Sequence, residues 1–284
     1  MWSLFYGLYW TICADHAHSI RAMSQLPISI FIIAYNEADR LPRVLEAVAG
    51  LSDDVLVVDS GSTDGTQKVA ADLGARVVHN DWNGYGPQKR FAEDLCRHNW
   101  LLNLDADEVM PPELVAEVRT LFDHGEPSRD AYKLRIAEVF PGEGRSHSLA
   151  YTLAPVRLYR KDRGRYNASP VHDRVDLEAG ATVGRLKGTI QHFSVRSLGD
   201  QLMKLNNYTN QQADDLVARA VKVPVWRLFL EFPGAFIKAY ILRRHFVRGI
   251  YGFMTAMNFA FYRWLRVAKA IERQRLGRES ANGR

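Results

Sequence analysis

Cysteine is nearly absent: Cys13 and Cys96 are the only two in 284 residues. That excludes a disulfide framework or a Cys-rich zinc site and points to a reducing compartment. Long apolar runs are also missing. Two of the longer uncharged stretches, Met1 to Ala14 and Gly249 to Tyr262, have 14 residues each, and a membrane-spanning helix needs about 20. The first lacks the Lys or Arg that precedes a secretory apolar region, and no clean small-residue cleavage site follows it. Residues 1–25 therefore read as an extension, either an apolar anchor or a misassigned start. With 20 Gly, 11 Pro and 47% hydrophobic residues, the chain is globular rather than disordered or collagen-like.

Acidic residues are scarce at the C-terminal end. Residues 216–284 hold 14 Lys/Arg against 3 Asp/Glu, whereas residues 1–215 hold 23 against 29. A mildly acidic body with a basic tail does not describe a nucleic-acid binder; it suits a catalytic body whose tail meets an anionic surface.

Strand and helix signals alternate. Ile28 to Ala34 is a near-continuous apolar run, the pattern of a strand buried on both faces. A helix is predicted over Asp39 to Leu51, with Asp39 as N-cap and Gly50 near its stop. Val55 to Val58 is a second strand, Thr66 to Leu73 a helix ending at Gly74, Ala75 to Val78 a third strand, Pro87 to Arg97 a helix and Trp100 to Leu104 a fourth strand. This order calls for an α/β fold with a parallel sheet, in which ligands sit beyond the carboxyl ends of the strands. Polar clusters lie there: Tyr35-Asn36-Glu37, Asp59 to Thr66, and Asp105-Ala106-Asp107-Glu108.

Strand alternation predicts that Asp105 and Asp107 point the same way. Two such carboxylates suit Mg²⁺ or Mn²⁺ with phosphate oxygens and water completing the shell; a chance acidic pair is the competing reading. Asp59 can accept from a base or ribose donor. The stretch containing Gly61 and Asp64 offers backbone N–H groups, hydroxyls and a helix start, or simply a polar turn with Asp64 as N-cap. The first loop lacks Gly-x-Gly-x-x-Gly, which argues against a nicotinamide dehydrogenase.

Three motifs, Ile33 to Glu37, Val57 to Thr66 and Leu104 to Glu108, resemble the family 2 glycosyltransferases, which have the GT-A fold. Gly86 to Ala92, Pro170 to Val175 and Lys204 to Thr209 are similar to the branch of that family made up of lipopolysaccharide-core glucosyltransferases. The resemblance covers roughly residues 27–215. It implies inverting transfer of a hexose, glucose from UDP-glucose, to a lipid-linked glycan such as the lipopolysaccharide inner core. Ala34, Tyr35, Asn36 and Glu37 would form the first nucleotide loop, and Asp59 would contact the base. Asp105 would sit near ribose and metal, and Asp107 would bind Mg²⁺ or Mn²⁺ directly. Lys89 would reach the diphosphate or sugar, although alone it reads as an exposed helical lysine. Asp173, where the family more often has glutamate, is the candidate base that takes the acceptor proton; a surface pairing with Arg174 or Arg157 is the alternative. His192 matches a late metal-binding histidine, or is simply packed. Trp82 and Tyr85 would stack on a sugar or close the loop.

The implied division is an extension at 1–25, a GT-A domain at 26–215 and basic amphipathic helices at 216–284. In the last, aromatic and aliphatic residues interleave with Lys238, Arg243, Arg244, Arg248, Arg263, Arg266 and Lys269, the composition of interfacial helices. This predicts a peripheral enzyme on the cytoplasmic face of the inner membrane; packing of the helices on the body or on a second subunit is the alternative. Two other classes compete. Asp105-Ala106-Asp107-Glu108-Val109 fits the Asp-x-Asp-x-Val of haloacid-dehalogenase phosphatases, but three strands precede it and no later acidic pair is apparent. The basic tail also suits a non-enzymatic membrane-surface or nucleic-acid-binding module, which the acidic body disfavours.

Overall fold

The structure, a computed structural model, describes residues 25–282, with side chains described as far as Leu276. The extension expected at 1–25 lies, but for Gln25, outside these residues. Contacts divide the chain into two compact units. The first comprises residues up to Ala106, Met110–Leu134 and Pro155–Gly188; the second comprises Asp107–Val109, Arg135–Ala154 and the chain from Thr189 onward.

In the first unit, β1 (Leu26–Ala34) is buried along its length except at Pro27. It pairs in parallel with β2 (Ser52–Asp59) and with β4 (Trp100–Asp105), and β2 pairs in parallel with β3 (Arg76–His79). Helices α1 (Leu41–Ala47), α2 (Thr66–Asp72) and α3 (Tyr85–Leu95) make the crossovers. Phe31, Ile33, Leu56, Val58 and Leu101 form one core with Ala92, Cys96, Tyr159 and Tyr166. The alternate residues Ile30, Ile32, Val57, Leu102 and Leu104 are equally buried. Both faces are therefore covered, which is why the strands read as continuous apolar runs; each large side chain contributes roughly 1.5–3 kcal/mol.

Beyond β4 the sheet turns antiparallel, a change that the apolar patterning does not signal. After the two-residue strand β5 (Glu108–Val109) and α4 (Pro112–Leu121), the strands β6 (Ala131–Glu138) and β7 (Val156–Arg160) add antiparallel pairings, with β7 between β4 and β6. A separate antiparallel pair, β8 (Gly164–Tyr166) and β9 (Val175–Leu177), precedes β10 (Val183–His192).

Two helix starts differ from expectation. No side chain caps α1; the Glu37 carbonyl accepts from the N–H groups of Arg40 and Leu41, so backbone closes the turn that Asp39 was expected to cap. Gly65, with φ of 91°, precedes α2. Asp64 instead accepts from the Thr66 N–H and hydroxyl and from the Ala38 N–H.

The second unit holds β5 against the end of β10, in the register Gln191 to Val109 and His192 to Glu108. Its helices are α5 (Leu198–Ala218), α6 (Arg227–Ile237) and α7 (Gly249–Asn282), with a π turn at Lys238–Leu242 and a 3-10 turn at His245–Arg248. Ala213, Val223, Val267, Ala270 and Ile271 form its core. Because α5 packs on α7 through these residues, it groups with the C-terminal helices, so the division differs from one at 215/216. Pro233 lies inside α6.

The Lys204 to Thr209 motif also has a packing role. Lys269 Nζ donates to the Asn206 carbonyl (2.9 Å), Thr209 Oγ1 (2.9 Å) and Asn210 Oδ1 (2.8 Å). Arg248 is buried, paired with Glu143 and 3.8 Å from the Phe140 ring centroid. Arg243 lies 4.6 Å from the ring centroid of Phe259 and 4.9 Å from that of Tyr151. With Arg263 and Arg266 meeting Glu231, five of the seven tail cations expected at a membrane have partners within the chain. Among the described residues no helix is long and apolar enough to cross a membrane.

Candidate active site

The loops after β1 and β2 are laced together. Asn36 adopts φ of 55°, a left-handed conformation asparagine tolerates. Its N–H donates to Ser62 Oγ (2.8 Å) and its Oδ1 accepts from the Thr63 N–H (2.9 Å). The Glu37 N–H donates to Thr66 Oγ1 at 2.8 Å, while the Glu37 carboxylate grips Arg40. Tyr35 remains exposed and Ala34 buried.

Asp59, fully buried at the end of β2, organises the second loop. It accepts from the N–H groups of Gly61 and Ser62 (2.9 Å each), the Ser62 hydroxyl and Gln67 Nε2 (2.7 Å). Burial pushes its carboxyl up, but these hydrogen bonds together hold it below the ordinary aspartate value.

The centre of the site is Lys89. Far from being exposed, its side chain is only 3% accessible. Nζ lies 3.0 Å from Asp105 Oδ1 and 2.8 Å from Asp173 Oδ2, and 5.0 Å from the Tyr166 ring centroid. Two glycines permit this depth. A Cβ on Gly86 would fall 2.3 Å from the Asn167 carbonyl oxygen, and one on Gly84, at φ of 106°, 2.5 Å from Pro170 Cα. The N–H groups of Tyr85 and Gly86 donate to the carbonyls of Pro170 and Ser169 at 3.0 Å each. The start of α3 is thereby sewn to the segment that carries Asp173.

Arg157 completes the cluster, with Nη2 3.0 Å from Asp105 Oδ2 and Nη1 donating to Asn103 Oδ1. That oxygen also accepts from the Tyr166 hydroxyl at 2.7 Å. Burial opposes ionisation of Asp105, but the cations of Arg157 and Lys89 outweigh it and hold the carboxyl far below the usual range. Lys89 is likewise held above the ordinary lysine value by Asp105, against its own burial. Two largely buried cations thus meet two partly exposed carboxylates, and removing either cation would leave a carboxylate short of its partner. Asp173 pairs with neither of the arginines considered from sequence, since Arg174 pairs with Asp176 and Arg157 with Asp105.

Alternation does not carry from Asp105 to Asp107, because β4 ends at Asp105 and a turn comes next. In the second unit, Asp107 Oδ1 lies 3.3 Å from His192 Nε2. Burial pulls the imidazole down, but Asp107, then Glu108 and Glu138, raise it to about 9. These surroundings favour positive charge, and Asp107 and His192 offer an oxygen and a nitrogen side by side. They fit a divalent cation as two protein donors. Among the described residues, no three His, Cys, Asp or Glu cluster as a ligand set.

Trp82 and Tyr85 meet edge to face, with ring centroids 4.8 Å apart. Four participants were not singled out from sequence: Arg157 as the partner of Asp105, Asn103, Tyr166 and Gln88. Gln88 is buried and donates to Ser60 Oγ at 3.0 Å. Asn103 carried a readable signal, being the one polar residue inside the apolar run Trp100 to Leu104.

The family model of glycosyl transferase family 2 matches residues 29–180. An uncharacterized glycosyltransferase of Rickettsia typhi is 38% identical over 253 residues, 86% of this chain and 87% of the relative. The lipopolysaccharide core biosynthesis glycosyltransferase LpsC of Rhizobium meliloti is 30% identical over 269 residues, 89% of this chain and 94% of the relative. Among solved structures, residues 1–349 of S. aureus TarS align at 14% identity over 89% of this chain and 92% of that one, with a TM-score of 0.47.

Proposed function

The chain belongs to glycosyl transferase family 2, with the GT-A fold, and we propose that it transfers a hexose with inversion, glucose from UDP-glucose, onto a lipid-linked glycan of the lipopolysaccharide inner-core type. The similarity to LpsC supports that acceptor class. One observation carries the chemistry: Asp173 Oδ2 lies 2.8 Å from a buried ammonium that also meets Asp105 at the end of β4.

In this reading Asp173 takes the proton of the acceptor hydroxyl as its oxygen attacks the anomeric carbon, and the bond from that carbon to the diphosphate breaks on the opposite face. Such general-base help is typically worth about 10²–10⁴ in rate. Lys89 and Arg157 orient Asp105 and Asp173 and place positive charge near the departing diphosphate. Ala34 to Glu37, Gly61 and Asp64 line the nucleotide loops. Asp59 acts by holding the second loop in shape, with the base as its expected contact. Asp107 and His192 would hold Mg²⁺ or Mn²⁺, and Asp105 keeps its expected role toward ribose and metal. Bound there, the cation would neutralise the leaving diphosphate as a Lewis acid. The basic tail supports peripheral residence on the cytoplasmic face of the inner membrane. Family membership leaves the phosphatase and the non-enzymatic module without support.

The test is a panel of nucleotide sugars assayed for hydrolysis and transfer, with and without manganese. Turnover of UDP-glucose above the other donors is expected. No turnover of any member would refute the reading.

A further inference from the structure

We propose that Arg227, Arg263 and Arg266 form a phosphate-binding site for lipid headgroups, and that the apolar stripe of α6 beside them enters an anionic bilayer. This deepens the peripheral-membrane part of the reading above and rests on it.

The three arginines surround one carboxylate. Glu231 Oε2 lies 2.7 Å from Arg227 Nη2, and Oε1 lies 2.6 Å from Arg263 Nη2 and 3.7 Å from Arg266 Nη2. The cluster is thus two positive charges in excess, on half-buried side chains where solvent screening is reduced. Arg266 Nε is buried with no hydrogen-bond partner. Its burial, and then the charge of Arg263, make the guanidinium costly there, and Glu231 relieves this only in part. A phosphate at the accessible edges of the three guanidinium groups would supply the missing negative charge, and guanidinium forks match phosphate in two-point contacts.

The neighbouring surface says where that phosphate belongs. Trp226, Phe229, Leu230 and Ile237 recur at helical spacing and are 59%, 75%, 61% and 55% accessible. Ala235, on the opposite side of α6, is buried, and Phe236 packs against Tyr240 and Phe253 within the unit. The apolar stripe is therefore the outward face, with the arginine cluster at its flank. A soluble anion would explain the cations but not the aromatic and aliphatic residues beside them. A phospholipid surface matches both, with phosphate at headgroup depth and acyl chain beneath. The chemical class assigned is an anionic glycerophospholipid in a bilayer, in preference to a second copy of the chain, which would bring a like-charged cluster to the same place.

Sedimentation of the full chain with phosphatidylcholine vesicles, with and without phosphatidylglycerol, tests the assignment. Binding is expected only with phosphatidylglycerol, and it should weaken as salt is raised. Arg263→Gln should weaken partitioning about fivefold. Because that change also strips Glu231 of a partner, the exposed double variant Phe229→Ser/Leu230→Ser provides the independent reading: a drop of about tenfold or more, with nucleotide-sugar hydrolysis in solution unchanged. Equal binding to both vesicle types, full binding by the double variant, or release of bound protein by millimolar inorganic phosphate would overturn the proposal. So would concentration-dependent self-association that the double variant abolishes in the absence of vesicles. A wild-type chain that binds as expected but turns over no nucleotide sugar supports the lipid site while refuting the transferase substrate reading.

Discussion

Asp173 accepts a 2.8 Å hydrogen bond from Lys89, 84 positions earlier in the chain. The two residues belong to segments with no sequence continuity, one on α3 and the other in the stretch leading into β9. Their meeting joins the helix that follows the third strand to the proposed base.

Lys89→Met should therefore be costly. It removes a cation shared by the carboxylates of Asp105 and Asp173. Breaking a buried pair on one side costs about 3–5 kcal/mol, read as a lower midpoint in urea denaturation. A loss under about 1 kcal/mol would mean that water reaches the cluster.

Asp173→Asn preserves shape and removes the proton acceptor. Transfer should fall about 10²–10⁴-fold while calorimetric affinity for the nucleotide sugar stays within about threefold, a change well under 1 kcal/mol. A parallel loss of donor affinity would assign the residue a structural role.

Asp107→Ala and His192→Ala should each abolish stimulation of turnover by manganese without unfolding the chain, since Asp107 sits in the turn before β5 and His192 ends β10, both outside the hydrophobic core. Manganese stimulation that survives in either variant, or undiminished turnover in excess chelator, would remove the metal from the mechanism.

Gly86→Ala forces a methyl group to within 2.3 Å of the Asn167 carbonyl oxygen. The start of α3 must then separate from residues 167–170. A destabilisation of about 1–3 kcal/mol is expected, with lost transfer, because the displacement also draws Lys89 away from Asp173. Wild-type kinetics in this variant would show that the close approach is dispensable.

Acid stability should depend on Asp54, a buried residue remote from the proposed chemistry. It accepts from Ser29 Oγ (2.6 Å), the Arg97 N–H (2.9 Å) and Arg76 Nη2 (3.0 Å). Burial raises its carboxyl, but these partners together bring it below the ordinary value. A carboxyl lowered by folding contributes stability that is full above its unfolded value, about 3.9, and is lost as pH falls through the lower folded one. Unfolding free energy measured from pH 6 down to pH 2 should thus drop less steeply in Asp54→Asn than in the parent. Parallel profiles would refute the assignment.

The first four strands and their crossovers were legible because burial on both faces writes itself as unbroken apolar runs, and Gly50 and Gly74 mark the reversals. The three polar loops were legible for a related reason: in a parallel sheet, loops at the carboxyl ends fall on one edge whatever their sequence. The antiparallel strands β6 and β7 were less visible, because Lys133, Arg135 and Arg157 interrupt their apolar pattern. Arg157 is tolerated only because Asn103 and Asp105 meet it, and those partners are more than 50 positions away.

Residue types and their order determined the class of fold, the edge where the polar loops gather and the charge asymmetry of the tail, since each depends on local periodicity and composition. Folding decided which charges neutralise one another. Lys89 passes for a solvated helical lysine until Gly84 and Gly86 let α3 approach residues 167–170, and Lys269 passes for a membrane-facing cation until α5 surrounds it. The physical reason is that local sequence records which groups are polar, whereas desolvation, and with it the partner each charge must find, depends on segments brought together from a distance.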